Sequence, residues 1–356
     1  MKITFVLPSI GISGGVKAVF EFANHLYIRG HDVSVVYPLI PMGLIGKWHN
    51  FKNIIYKARG TIGNLRRGNR IEWFTLKAKL IRTLTLSERF IPDADIIVAT
   101  WWETAYYVSK YGNNKGEKFY LVQHYEIWGG PKEKVDKTYR LGLHNIVNST
   151  WLKDILQNKL NAKVESLILH APDLDDFYFE NNNKNSDNTI RILMPYRIQK
   201  WKGAEDGIKA FEIVKRKFNK IQLVMFGPHK SKDVPGYVEF YEKPSNDKIR
   251  EIYNSCDIFI FPSRQEGFGM PPMEAMACKM ACVLTNVGAV PDYATSNKTA
   301  LIVAPEKPEE LAQAILSLLN SKSKRQKIAE AGYKYIKQFS WDKSTAQLER
   351  VFQKYV

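Results

Sequence analysis

Cysteine is scarce: Cys256, Cys278 and Cys282 are the only three in 356 residues. An odd number without paired spacing excludes a disulfide framework and points to a reducing compartment. Long apolar runs are missing too. Stretches such as 258–262 are strand-sized, far below the ~20 residues that span a bilayer. The start does not read as a secretory leader, because the apolar run after Lys2 stops at Pro8 and a Gly-rich loop. Disorder and fibrous repeats are excluded by 45% hydrophobic and 25% charged residues. Acidic residues are few against basic ones, 36 to 52, a formal charge of +16. The excess is uneven. Residues 1–170 carry 24 Lys and Arg against 13 Asp and Glu, and within 47–89 the ratio is 11 to 2. Such a field suits an anionic partner or simply a soluble surface.

Apolar periodicity predicts a strand over 3–7, a helix over 16–29 ended by Gly30, and a strand over 33–37. That is a βαβ unit with a Gly-rich first crossover, hence a parallel sheet. Further strands are predicted over 96–99, 118–123 and 145–148. A second series follows: strands over 190–195, 221–226, 258–261 and 282–285, and helices over 204–216, 248–254 and from 272 to 277. The polar stretch 180–188 reads as a linker between two doubly wound α/β domains. A last amphipathic helix is predicted over 341–355, after the second domain is complete.

Ligands of open α/β sheets bind beyond the carboxyl ends of strands. Gly11, Gly14 and Gly15 follow the first strand, but they match neither the dinucleotide fingerprint nor a Walker loop. Arg197, Lys200 and Lys202, before Gly203, crowd the end of the strand over 190–195, where a diphosphate would neutralise them. Gly227 and His229 follow the next strand, and His229 alone reads as a solvated residue. Glu266-Gly-Phe-Gly-Met-Pro-Pro-Met-Glu274 is the most specific segment. Gly267 and Gly269 free the backbone, Pro271 and Pro272 suit a helix start, and the two carboxylates can reach two ends of one ligand. His124 ends a first-domain strand and is a candidate hydrogen-bond donor or proton shuttle. The pairs Asp93/Asp95 and Asp173/Asp175 have metal-like spacing, but one stands at the wrong end of its strand and the other has no helper ligand.

The 266–274 segment resembles the E-x7-E element of retaining glycosyltransferases of family 4. The resemblance follows the whole chain in order and is most specific over 262–305, including Asn286-Val-Gly-Ala-Val-Pro291. It implies the GT-B fold, two Rossmann-like doubly wound domains facing across a cleft. The implied divisions are an acceptor-binding domain at 1–170, a linker at 171–189, a nucleotide-sugar domain at 190–338 and a closing helix at 339–356. It implies that Arg197 and Lys202 hold the donor diphosphate and that Glu274 binds the ribose. Glu266 would contact the donor sugar, and the backbone of Gly267, Phe268, Gly269 and Met270 would line its pocket. Gly227 would add a backbone contact, Gly14 and Gly15 would approach the phosphate, and His124 would bond the transferred sugar. No cofactor and no metal are expected; the nucleotide sugar is a substrate. The acceptor would be a glycan or a lipid-linked glycan of cell-surface polysaccharide or glycolipid synthesis. Tyr196, His170-Ala-Pro-Asp173 and Gly227-Pro-His depart from the family's usual residues.

In 47–89, Trp73, Leu76, Leu80, Ile81 and Leu84 follow helical spacing, with Lys79 and Arg82 opposite and Lys77 intruding. This predicts a helix that either packs in the core or lies on an anionic membrane. The cysteine usage makes the expected location cytoplasmic, with peripheral attachment to the inner membrane face as an added hypothesis from the 47–89 segment. Three rivals stay open: a sugar-nucleotide epimerase or a phosphorylase of the same architecture, and a basic nucleic-acid binder, which would leave Glu266 and Glu274 without a role.

Overall fold

The computed structural model describes residues 1–42, 51–67, 70–180 and 188–356. The chain divides into two units, Met1–His170 with Trp341–Val356, and Ala171–Ser340.

The first unit is built on a seven-stranded parallel sheet: β1 (Lys2–Val6), β2 (Asp32–Pro38), β3 (Lys79–Thr83), β4 (Ile96–Ala99), β5 (Glu117–Val122), β6 (His144–Val147) and β7 (Val164–Leu167). Their order is β3-β2-β1-β4-β5-β6-β7. The order reverses between β1 and β4, which leaves a crevice at the carboxyl ends of those strands. The central strands are apolar on both faces, as burial between two helical layers requires. Phe5, Val35, Ile97, Tyr120 and Ile146 are fully buried.

The second unit repeats the plan with six strands: β8 (Ile190–Pro195), β9 (Ile221–Gly227), β10 (Glu239–Glu242), β11 (Ile258–Phe261), β12 (Ala281–Thr285) and β13 (Leu301–Val303). Their order is β10-β9-β8-β11-β12-β13. β8 and β11 pair through Ile192 with Ile258 and Leu193 with Phe259, and the order reverses between them. The core of this unit includes Met194, Phe211, Leu223, Ile260, Val283 and Ile315.

The C-terminal helix Trp341–Phe352 packs on the helix Gly14–Ile28 of the first unit. The Ser344 hydroxyl donates to the Leu169 carbonyl at 2.6 Å and the Gln347 amide to the Leu167 carbonyl at 2.9 Å. Arg29 pairs with Asp342 and Glu349 at 2.9 and 2.7 Å. Trp341, Leu348 and Phe352 are buried there, worth about 1.5–3 kcal/mol each against leaving them exposed. Trp341 meets Phe22 edge-on at 5.2 Å and His170 at 5.5 Å.

The predicted helix over 73–84 is corrected. Residues 79–83 form β3, pairing from Ser34–Lys79 to Pro38–Thr83 beside β2. The misleading spacing arose because Trp73, Leu76, Leu80 and Ile81 are drawn from a loop and a strand. Trp73 caps Phe20 by ring contact at 5.5 Å and donates to the Ile10 carbonyl. The helix of this region lies earlier, at Phe51–Arg67, while 47–50 and 68–69 of the basic segment fall outside the described residues. The linker reading likewise falls partly outside them, at 181–187. Residues 171–180 already belong to the second unit: Phe177 is buried and the Glu180 N–H donates to Asn254 at 2.8 Å. The short edge strands β7, β10 and β13 were not legible as separate elements. The three cysteines are buried and none forms a disulfide among the described residues. Among the described residues no helix is long and apolar enough to cross a membrane.

Candidate active site

Two loops leave the reversal point of the second sheet. One follows β8, runs through Tyr196 and Arg197, and closes in the short 3-10 turn Lys200–Lys202. Gly203 ends that turn with φ +65° and begins the helix Ala204–Lys215. No other residue fits there, since a Cβ would lie 1.9 Å from the Pro262 carbonyl oxygen. The second loop follows β11. Its Arg264 and Gln265 N–H groups donate to the Trp201 carbonyl at 2.8 and 3.2 Å. The Arg264 guanidinium forks onto buried Asp206 with two contacts of 2.7 Å, a geometry only Arg supplies. The Thr285 hydroxyl reaches the Ser263 carbonyl at 2.6 Å. The two loops are thus sewn to each other and to the next strand.

At their junction the Lys202 ammonium contacts both Glu266 oxygens at 2.8 Å, and the Ser263 hydroxyl donates to Glu266 Oε1 at 2.8 Å. Glu266 is only 6% exposed, and a buried carboxylate persists only when paired and hydrogen-bonded. The sequence reading assigned the neutralisation of Lys202 to a diphosphate. In the protein alone, Glu266 performs it. An ammonium has three donors, so two contacts to Glu266 leave one for another acceptor.

Arg197 is exposed and donates to the Tyr196 carbonyl at 2.9 Å. Local desolvation lowers its pKa, while Tyr253, Glu274 and Glu266 act in the opposite direction. The guanidinium therefore shares a field with both carboxylates of the E-x7-E segment. Glu274 stands half-buried on the helix Met270–Ala277, which opens after Gly269 at φ +86° with Pro271 and Pro272 in its first turn. The Tyr253 hydroxyl donates to Glu274 Oε2 at 2.9 Å. Burial, then the Glu274 charge, push the Tyr253 pKa well up. Tyr253 escaped the sequence reading, because an aromatic on the apolar side of a short helix reads as core. Phe268 is buried against Tyr293, whose hydroxyl donates to the Gly269 carbonyl at 2.9 Å. Phe268 thus holds the loop by packing, and only its backbone is in question as a ligand contact. Gly267 is buried and Met270 half-buried. Gly227 ends β9, and its carbonyl accepts from the Lys243 N–H. His229 is exposed and pairs with Glu242 at 3.2 Å.

The remaining candidates lie in the first unit. Gly14 and Gly15 open the helix Gly14–Ile28, whose N-cap Ser13 accepts from the Val16 N–H at 3.2 Å. Gly15 lies beside Gln123: a Cβ there would meet the carboxamide nitrogen at 3.4 Å. His124 follows β5, with Nδ1 3.0 Å from the Tyr125 carbonyl. The metal-like spacings have other uses. Asp93 pairs with Lys115 at 2.7 Å, Asp95 accepts from the Lys2 N–H, and Asp173 accepts from the 175 and 176 amides. Among the described residues no three His, Cys, Asp or Glu side chains cluster to hold a metal ion.

Of the predicted residues, Lys202 and Glu266 are in contact, and Arg197 and Glu274 stand on the elements that flank the same strand-order reversal. Residues 175–335 match the family described as Glycosyl transferases group 1. The capsular polysaccharide biosynthesis glycosyltransferase CapM of Staphylococcus aureus is 30% identical over 149 residues, 39% of either chain. O-antigen chain mannosyltransferase B of Escherichia coli is 30% identical over 112 residues, 32% of this chain and 29% of that one. The chain thus spans well under half the length of these curated relatives. Among solved structures, HepE of Anabaena in complex with UDP-glucose superposes with a TM-score of 0.72 at 14% identity, over 99% of this chain and 100% of its own. The fold is GT-B, two α/β units each on a parallel sheet. The similarity to glycosyltransferases of group 1 is thus established for residues 175–335.

Proposed function

We propose that the chain is a retaining, metal-independent glycosyltransferase. It would move a sugar from a nucleotide diphosphate donor to a glycan or lipid-linked glycan in cell-surface polysaccharide synthesis. One observation carries this reading: two cations and two carboxylates share the reversal point of the second sheet, where a parallel sheet offers its ligand crevice. In this reading Arg197 and the third donor of Lys202 take the diphosphate. They stabilise the charge that develops as the bond from the anomeric carbon to the phosphate oxygen breaks. Glu274, oriented by Tyr253, accepts from the ribose hydroxyls. Glu266, held by Lys202 and Ser263, accepts from the sugar. The acceptor oxygen attacks the same face, and its proton leaves with the diphosphate.

The test is a screen of nucleotide sugars for release of the nucleoside diphosphate, with and without EDTA. UDP-glucose comes first, because HepE was solved with it. Release that survives EDTA is expected. A strict need for manganese or magnesium sinks the metal-independent part, and release from no donor sinks the whole. Conversion of the sugar without release of the diphosphate would favour an epimerase.

Attachment to an anionic membrane belongs to the same proposal, moved to the helix Phe51–Arg67. Among the described side chains of this helix, inward positions are small or polar: Gly60 lies against Pro41, and the buried Asn64 amide donates to the Leu39 carbonyl at 2.9 Å. The described apolar side chains Ile55, Ile62 and Leu65 face out, 36%, 48% and 56% exposed, beside exposed Arg59 and Arg66. The segment holds five basic residues and no acidic one. An apolar stripe edged by arginine fits the headgroup region of an anionic bilayer. Sedimentation with phosphatidylglycerol vesicles should deplete the protein, and phosphatidylcholine vesicles should not. The double variant Ile62→Asp, Leu65→Asp should lower binding by tenfold or more. Equal sedimentation of variant and parent, or none at all, refutes the attachment.

A further inference from the structure

Glu266 is held in a way that contact with a sugar does not by itself require. An ionised carboxylate has room for about four donors. Lys202 Nζ stands 2.8 Å from each Glu266 oxygen, and the Ser263 hydroxyl donates to Oε1 at 2.8 Å. One place, on Oε2, is left for a ligand hydroxyl. Ser263 is buried and is fixed from behind by Thr285 of β12. The Thr285 hydroxyl stands 2.6 Å from the Ser263 carbonyl and 3.1 Å from the Phe261 carbonyl. The carboxylate is thus anchored to the sheet, while the Lys202 side chain remains 31% exposed.

One cation therefore serves two anions. A diphosphate on the third donor of Lys202 shares a single positive charge with a fixed carboxylate, and the two anions repel. If the diphosphate draws the ammonium toward itself, Glu266 stays buried with Ser263 alone, a costly state for a carboxylate. Sugar hydroxyls change the balance. Donated to Glu266, they replace the ammonium as hydrogen-bond partners, and Lys202 can turn to the diphosphate. A nucleoside diphosphate without its sugar brings no such donor to Glu266. Its terminal phosphate also carries about one more negative charge.

We infer that Glu266, set by Ser263 and countered by Lys202, makes the site select the sugar-loaded nucleotide over the bare nucleoside diphosphate. This rests on the glycosyltransferase reading and deepens it. The same competition works after transfer. Once the sugar is gone, Lys202 returns to Glu266 and the diphosphate loses that cation, so Glu266 also helps to expel the product. Ser263 is a positioning residue, because it acts on the ligand through Glu266.

The test is calorimetric titration of the full chain with three pairs: UDP and UDP-glucose, GDP and GDP-mannose, ADP and ADP-glucose. The unaltered chain should bind one sugar-loaded member about fivefold or more tightly than its bare partner. Glu266→Gln removes the rival charge and keeps the shape. It should bind that bare nucleoside diphosphate about tenfold more tightly than the unaltered chain does, and lose the preference. Ser263→Ala leaves Glu266 more dependent on Lys202, so the bare ligand should bind about threefold more weakly. A pair that serves structure alone would give weaker binding of both ligands in both variants, and that result overturns the inference. So does an unaltered chain that binds the bare member as tightly as the sugar-loaded one in every pair, a comparison that needs no variant to fold. Diphosphate release by the unaltered chain reads the glycosyltransferase proposal separately. Release without discrimination refutes the selection alone, whereas neither release nor binding of any pair removes the reading beneath it and the selection with it.

Discussion

Lys202→Ala is expected to slow nucleotide-sugar turnover by about 10²–10³-fold, the loss typical when a charge-stabilising donor is removed. It should also destabilise the second unit by roughly 2 kcal/mol, because Glu266 would stay buried with its cation gone. The ammonium is partly solvated, its side chain 31% exposed against 8% for Glu266, which keeps the cost below that of a fully buried pair. The two losses can be separated. In the double variant Lys202→Met, Glu266→Gln the charges leave together, so stability should return while turnover stays low. Turnover is measured by diphosphate release and stability by urea unfolding. If Lys202→Ala turns over within twofold of the parent, the charge-stabilising role is wrong. If the double variant is no more stable than the single one, the pairing argument is wrong.

A second large effect is expected in acid. His170 is buried against Phe22 and Trp341, and burial lowers its pKa to about 3 from an ordinary 6.5. Above pH 6.5 the imidazole is neutral in both folded and unfolded chains and costs nothing. Below it the unfolded chain takes up a proton that the folded chain refuses until about pH 3. Stability of the first unit should therefore fall as the pH drops, by about 3 kcal/mol at pH 4.5 from this group. His170→Phe keeps an aromatic ring between Phe22 and Trp341 and should remove most of that slope. Glu126 acts on the other limb: burial raises its pKa to about 8 from 4.5, so stability falls as the pH rises between those values. Urea unfolding at pH 4.5, 6 and 8 separates the two. An unchanged loss between pH 6 and 4.5 in His170→Phe would show that other groups carry the acid sensitivity.

The strands buried on both faces were legible because short, uniformly apolar runs such as 258–261 leave few alternatives. The same holds for the 266–274 segment, where glycines, prolines and carboxylates each need their own place in one turn. What could not be read is of two kinds. Edge strands such as β3 and β10 are half-polar and short, and β3 carries Lys79 and Arg82 because one side of it meets no further strand. Their pattern is then borrowed by whatever neighbours them, as Trp73 and Leu76 did for a helix that is absent. The second kind is pairing across sequence distance. Arg264 with Asp206, Tyr253 with Glu274 and Lys202 with Glu266 are separated by 58, 21 and 64 residues. Residue types alone named most members of the site, but only the sheet order decides which of them meet. The helix Phe51–Arg67 was missed for a related reason: its described apolar side chains, Ile55, Ile62 and Leu65, do not line the side that packs inward.

Because Trp341–Phe352 returns to the sheet begun by Lys2–Val6, the first unit is a discontinuous body interrupted by all of Ala171–Ser340. During vectorial synthesis the host segment Met1–His170 emerges long before Trp341, Leu348 and Phe352 are made. The host must wait, with the apolar flank of Gly14–Ile28 uncovered, until the last helix emerges. A released chain truncated after Ser340 should therefore resist protease over the insert and be digested over the host.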